Sequence, residues 1–155
     1  MTYTLSKHGL SAIKASEGCK LSAYQDSAGI WTIGYGTTGK VNGQSINRGM
    51  AIDEECAERL LRTSLLTFEK DVNRLVKFIG LTQNQYDALV SLIYNIGTTN
   101  FSQSTLLKEL NKGNVLQAAE QFLAWCKLTD AKTRQKITSA GLLNRRRLER
   151  ELFLL

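Results

Sequence analysis

A chain of 155 residues has the length of one domain, with room for two lobes, and at that size roughly 70% of the unfolded surface can be buried. The net charge of +6 favours anionic partners, whether nucleic acid, membrane or bacterial wall, without choosing among them. No apolar run approaches the ~18 residues of a spanning helix, and the N-terminus lacks the apolar core and cleavage pattern of a secretory signal. Three widely spaced cysteines, Cys19, Cys56 and Cys126, and one histidine, His8, argue against a structural zinc site or a disulfide framework. The cysteines read as small reduced core residues, and neither a metal nor a cofactor is expected.

Leu10, Ile13 and Glu17 share one face of a helix over residues 7–17. Glu17 therefore continues an apolar stripe, an environment partly shielded from water. Gly18 is the stop. His8 falls on the exposed face.

Residues 20–42 switch to period two, hence strands. Asp26-Ser27-Ala28-Gly29 has hairpin-turn chemistry. In the second strand Trp31, Ile33 and Tyr35 point to a small core. Thr32, Gly34 and Gly36 form the other face, small and polar, where a polymer would lie against the backbone. Asp26 and Thr32 share that facing.

From Asp53 the period is helical. Asp53 caps a helix to about Lys77, roughly 24 residues and about 36 Å long, buried through Leu60, Leu61, Leu65, Phe68, Val72, Leu75 and Val76. Thr82 to Gln85 is a capping box opening a buried helix with Tyr86, Leu89, Val90, Ile93 and Tyr94, ended by Gly97 to Asn100. Ser102 is read as the cap of a short helix through Asn111. Asn114 caps another to about Lys127, burying Leu116, Ala119, Phe122, Leu123 and Cys126. Residues 129–138 read as a polar basic loop. Ser139 caps the last helix, with Leu142, Leu143, Leu148, Leu152 and Phe153 as its stripe.

The sum is an α+β fold. A small lobe over about 14–55 carries an antiparallel sheet, and a helical lobe spans 78–155. The 53–77 helix joins them in one catalytic domain over 1–155, preceded by helix 7–17.

Glycoside hydrolysis needs one carboxyl that gives a proton to the leaving oxygen and another at the anomeric side. Glu17, ending a half-buried helix, and Asp26, opening a polar turn, sit in environments that differ in the required direction. The Thr32 hydroxyl can hold a water beside Asp26. On spacing alone, a surface Glu and a turn-initiating Asp account for the same residues.

The pattern Glu17, Asp26, Thr32 inside KxSEGxxLxAYxDxxGxWTIGYG resembles the phage-type, T4-like lysozyme or endolysin family, glycoside hydrolase family 24. The likeness continues through the Asp53 helix, the block SLIYNIGTTNFSQSTLLKELNKG, Trp125 and the ending GLLNRRRLERELF, so it covers nearly the whole chain and carries a lysozyme-like fold with it. It implies a muramidase that cleaves the β-1,4 bond between N-acetylmuramic acid and N-acetylglucosamine of peptidoglycan. Glu17 is then the general acid, with Asp26 and Thr32 holding the water, and inversion implies carboxyls ~6.5–9.5 Å apart. Tyr24, Gly34, Asn95 and Arg145 are the implied substrate-binding residues, with Arg145 expected against Glu17. The alternative for Arg145, Arg146, Arg147 and Arg150 is a solvated face.

The resemblance further implies a monomer whose partners are peptidoglycan glycan strands, without nucleic acid and without stable membrane insertion. It waits in the host cytoplasm until a holin releases it to the periplasm and wall. Thr37 departs from the family's common histidine, which bears on local stability. Cys19 beside the acid resembles a redox-controlled position of exported relatives. A lytic transglycosylase needs a single acid, so the full carboxylate pair favours hydrolysis. A nucleic-acid binder would need an arginine helix free of core leucines, and a wall-binding module without catalysis would not need the full set.

Overall fold

A computed structural model describes residues 2–155. The chain divides into two compact units, Ser11–Thr67 and the residues up to Leu10 together with Phe68–Leu155. The divisions fall inside the first two helices, α1 (Lys7–Glu17) and α2 (Glu54–Leu75). No helix among the described residues is long and apolar enough to cross a membrane.

In the Ser11–Thr67 unit, α1 buries Ile13 and ends at Glu17, where Gly18 takes φ +70 and its amide donates to the Lys14 carbonyl. A positive φ costs glycine nothing, so the stop lies where the sequence puts it. Three antiparallel strands follow in spatial order, β1 (Lys20–Gln25), β2 (Trp31–Gly34) and β3 (Thr37–Thr38). Two short strands, β4 (Lys40–Val41) and β5 (Gln44–Ser45), pair beside them. The small core is Ile33, Val41 and Ile46, with Ala23, Trp31, Met50, Ile52, Cys56 and Leu60 packed against it. The Asp53 carboxylate accepts the Cys56 amide at 2.8 Å and so opens α2 as read from the sequence.

Gly34 corrects one expectation. The strand is buried on both sides at Thr32, Ile33 and Gly34, because Gly34 leaves the strand conformation at φ +67 and points its absent Cβ at α2. A Cβ there would lie 3.3 Å from the Ala57 Cβ and 3.5 Å from the Ile52 Cδ1. Its smallness serves helix-to-strand packing, and strict alternation fails at this residue.

In the helical unit, α3 (Gln83–Ile96) carries the expected capping box, with Thr82 accepting the Gln85 amide and Gln85 accepting the Thr82 amide. α3 packs chiefly against α7 (Ala140–Leu154), which Ser139 caps by accepting the Leu142 amide at 3.2 Å. Tyr3 stacks on Tyr86, whose phenol burial pushes well above its usual range.

Between α3 and α7 the sequence reading needs five corrections. Thr98–Ser102 is itself a helix, α4, and the next, α5 (Thr105–Asn111), is capped by Ser104, which accepts the Leu107 amide at 3.1 Å. Ser102 is one of four hydroxyl residues over 98–104, and its own hydroxyl bonds back to the Thr99 carbonyl inside α4. α6 (Val115–Gln121) is shorter than read and gives way to a 3₁₀ turn over Phe122–Ala124. Asn114 precedes α6, but its side chain donates to Glu109 at 2.8 Å instead of capping. Residues 129–138 are no simple loop, because β6 (Lys127–Thr129) and β7 (Lys136–Thr138) pair antiparallel.

Two leucines read as core are outside it, Leu116 at 70% exposed and Leu148 at 52%. Of the cysteines only Cys126 is buried, while Cys56 is half-buried and Cys19 is exposed.

Candidate active site

The turn joining β1 to β2 is built around one carboxylate. The Asp26 amide donates to the Ile30 carbonyl at 2.9 Å, and the Ile30 amide donates back to Asp26 Oδ1 at 2.9 Å. Oδ1 also accepts the Ala28 amide at 2.9 Å. Asp is suited to this position because its short side chain bonds the backbone two residues on. Both bonds end on one oxygen. Among the described residues Oδ2 has no hydrogen-bond partner, so it keeps its lone pairs for solvent or a ligand.

Register places Thr32 on the same face as Asp26. Tyr24 pairs with Thr32 and Gln25 with Trp31, so Tyr24, Asp26 and Thr32 face one side of the ribbon. The bulge between Lys20 and Tyr24 lies upstream and leaves this parity intact. The Thr32 hydroxyl donates to the Ile30 carbonyl at 3.0 Å. Its one proton is thereby committed, and toward a third group it can only accept. Tyr24 is half-buried, with the Lys20 ammonium 4.4 Å from its ring centroid.

Glu17, the last residue of α1, belongs to the same unit and is half-buried. One turn earlier, Lys14 pairs with Glu58, to which Arg62 adds a contact at 3.3 Å. Lys14 holds the Glu58 carboxyl below its usual range, with Arg62 contributing, and Glu58 in turn raises the Lys14 ammonium. Lys14 also lies 5.7 Å from the Tyr35 ring centroid. Burial pushes the Tyr35 phenol up, and the neighbouring Cys19 thiol adds to that shift. Glu17 thus ends a helix whose last turn is tied to α2.

Thr37 pairs with Ile33 in the sheet, and its buried hydroxyl has no hydrogen-bond partner.

The two site residues expected in the helical unit differ in environment. Asn95 is exposed and lines a pocket of about 430 Å³ with Trp125, Lys127 and Leu128. Arg145 is only 8% exposed. Its Nε lies 3.2 Å from Glu149 Oε2, and it donates to the Ser91 carbonyl at 3.3 Å. Arg146 is fully buried, 2.7 Å from the other Glu149 oxygen, and donates to the Trp125 carbonyl at 3.3 Å. Ser91 Oγ donates to Glu149 as well. The solvated-face alternative therefore fails for Arg145 and Arg146 and describes only Arg147 and Arg150, the latter paired with Glu120. The Arg145–Glu149 spacing of four was legible on a helix. Nothing in the sequence marks Ser91 as the third member.

The family model for phage lysozyme matches residues 14–149. The chain belongs to the phage lysozyme family. The phage lysozyme chain is 47% identical to the endolysin of Salmonella phage P22 over 97% of each. It superposes on the endolysin of Escherichia coli O157:H7 phage FAHEc1 with a TM-score of 0.91, at 46% identity, covering 98% of this chain and 94% of that one. The muramidase domain of SpmX from Asticaccaulis excentricus gives a TM-score of 0.90 at 38% identity, covering 99% of each. The fold is lysozyme-like, and the protein is an enzyme, a glycosidase of the lysozyme class.

Proposed function

We propose that this phage lysozyme is a T4-like member of glycoside hydrolase family 24 that cleaves the β-1,4 bond between N-acetylmuramic acid and N-acetylglucosamine in peptidoglycan. Glu17 is the general acid on the leaving oxygen. Asp26 and Thr32 hold the attacking water.

The observation that carries this reading is the set of bonds around Ile30. The Thr32 proton is spent on the Ile30 carbonyl, and Asp26 Oδ1 is spent on two amides. A water between Thr32 Oγ1 and Asp26 Oδ2 would donate a proton to each. Its lone pair would then point away from both, toward an anomeric carbon. As that water attacks, Asp26 takes its proton while Glu17 delivers one to the leaving sugar oxygen. Attack on the face opposite the leaving group inverts the anomeric centre and needs Glu17 and Asp26 carboxyls about 6.5–9.5 Å apart.

Tyr24, with its apolar ring face and Lys20 beside it, is proposed to contact the glycan. Gly34 contributes at most backbone atoms, given its packing on Ala57. Asn95 and Arg145 are proposed as sugar-contacting residues of the helical unit. The biological role is host lysis. The enzyme accumulates in the host cytoplasm as a monomer, is released by a holin and acts on the wall from the periplasm. Endolysin names among its relatives support the lytic role.

The test is clearance of purified peptidoglycan by wild type and Glu17→Gln, with mass and anomeric analysis of products. Hydrolysis adds a water and yields the inverted anomer. An anhydro product, or a retained anomer, removes the water-activating role of Asp26 and Thr32.

A further inference from the structure

We propose that the β6–β7 ribbon is a docking surface for an anionic phospholipid membrane. Leu128 and Ile137 pair directly across the two strands, so their side chains stand on one face of the ribbon. They are 51% and 47% exposed. A contiguous cross-strand aliphatic pair at a protein surface marks an interaction site more than singly scattered residues do.

The surroundings are cationic. Residues 127–138 hold Lys127, Lys132, Arg134 and Lys136 against Asp130 alone, and all four cations are exposed. The Asp130 carboxylate is turned inward on its own turn, accepting the Lys132 amide at 2.7 Å and the Thr133 amide at 3.0 Å. It makes no ion pair with any of them, and four cations against one carboxylate leave the ribbon net positive. Among the described residues Lys132, Arg134 and Lys136 have no ion-pair partner.

Lys127 and Lys136, opposite Thr138 and Thr129, stand on the other face of the ribbon, while Lys132 and Arg134 lie in the turn that joins the strands. An aliphatic pair with unpaired cations at the adjoining turn matches the boundary of an anionic bilayer. The apolar pair enters the acyl region while the long basic stems keep their charges at the phosphates. A nucleic acid would use the charges but leave Leu128 and Ile137 wet, and a glycan in the Asn95 pocket would reach Leu128 but not Ile137, which does not line it. The ribbon uses none of the residues assigned to the reaction, although Lys127, Leu128 and Lys136 line the pocket that holds Asn95.

The experiment is sedimentation of the full chain with vesicles of phosphatidylglycerol mixed into phosphatidylcholine, against pure phosphatidylcholine, at low and moderate salt. Wild type binds the anionic vesicles and not the neutral ones. Lys132→Gln with Arg134→Gln lowers that affinity roughly 30-fold, at ~1 kcal/mol per cation, and flattens its salt dependence. Ile137→Ser lowers it about tenfold with the salt dependence retained, from losing about half an isoleucine's burial. The Lys132→Gln with Arg134→Gln variant keeps the wild-type thermal melt, because both side chains are exposed, and Ile137→Ser is compared below its own melting temperature with a wild-type circular dichroism spectrum. Equal binding to both vesicle types, or no binding, overturns the proposal. So does wild-type vesicle binding by both variants. Variants that bind vesicles normally but sediment less with purified peptidoglycan assign the ribbon to the glycan instead.

Discussion

Asp26 and Ile30 are bonded to each other twice, amide to carbonyl in one direction and amide to carboxylate in the other. That double tie fixes the Asp26 side chain without using Oδ2, and the same Ile30 carbonyl takes the Thr32 proton. Asp26→Asn keeps the turn through its amide oxygen but loses the base. Activity on peptidoglycan should fall roughly 10²–10⁴-fold, while the melting temperature stays within a few degrees. Asn activity within tenfold of wild type ends the base assignment.

Glu17→Gln should remove at least about 10²-fold of the activity, with a wild-type circular dichroism spectrum. Substantial residual turnover sinks the acid role. Thr32 separates into two variants. Thr32→Ser keeps an acceptor oxygen and should retain most activity. Thr32→Val fills the same buried volume without it, and should be slower in kcat with little change in KM.

Thr37 is the site where removal of a polar group should help. Its hydroxyl is buried without a partner, and such a group carries a desolvation cost of about 1–3 kcal/mol. Thr37→Val should stabilise the protein by about 1 kcal/mol, a rise of ~2–4 °C in melting temperature. A lower melting temperature refutes this.

Gly34→Ala should do the reverse. The added Cβ meets Ala57 at 3.3 Å, and the residue sits at φ +67. Left-handed backbone costs a residue with a Cβ about 1–2 kcal/mol. A loss of that size in urea midpoint is expected, with activity per folded molecule near wild type.

Asp71 gives a pH signature. The Thr98 hydroxyl donates to its carboxylate at 2.7 Å, and with Arg74 at 3.1 Å it holds the carboxyl below the usual aspartate range. A depressed folded value means stability that is complete above the ordinary value of 3.8. It is lost as pH falls below that value and through the folded one. Thr98→Val should therefore lower stability at pH 7 by about 1 kcal/mol, with the gap to wild type narrowing at the acid end. A gap that does not depend on pH contradicts the assignment.

Much of the fold was legible because its signals are local. Thr82 with Gln85, Ser139, Asp53 and Gly18 mark helix ends through hydrogen bonds or dihedrals within a few residues. The shared facing of Tyr24, Asp26 and Thr32 follows from period two, since the bulge falls before Tyr24. The candidate site was legible as far as those rules reach. Ser91 was invisible, because it meets Arg145 and Glu149 only where α3 packs on α7.

The sequence by itself determined the first helix, the small sheet and the long, buried and last helices, the family, and the spacing of Glu17, Asp26 and Thr32. Only tertiary structure decided that Ser104 and not Ser102 caps α5, that Leu116 and Leu148 face water, and that residues 127–138 pair into a ribbon. It likewise decided that Gly34 is small for Ala57. Capping and alternation are set by neighbours along the chain. Burial is set by whichever element arrives from far along it, and no window of the sequence contains that partner.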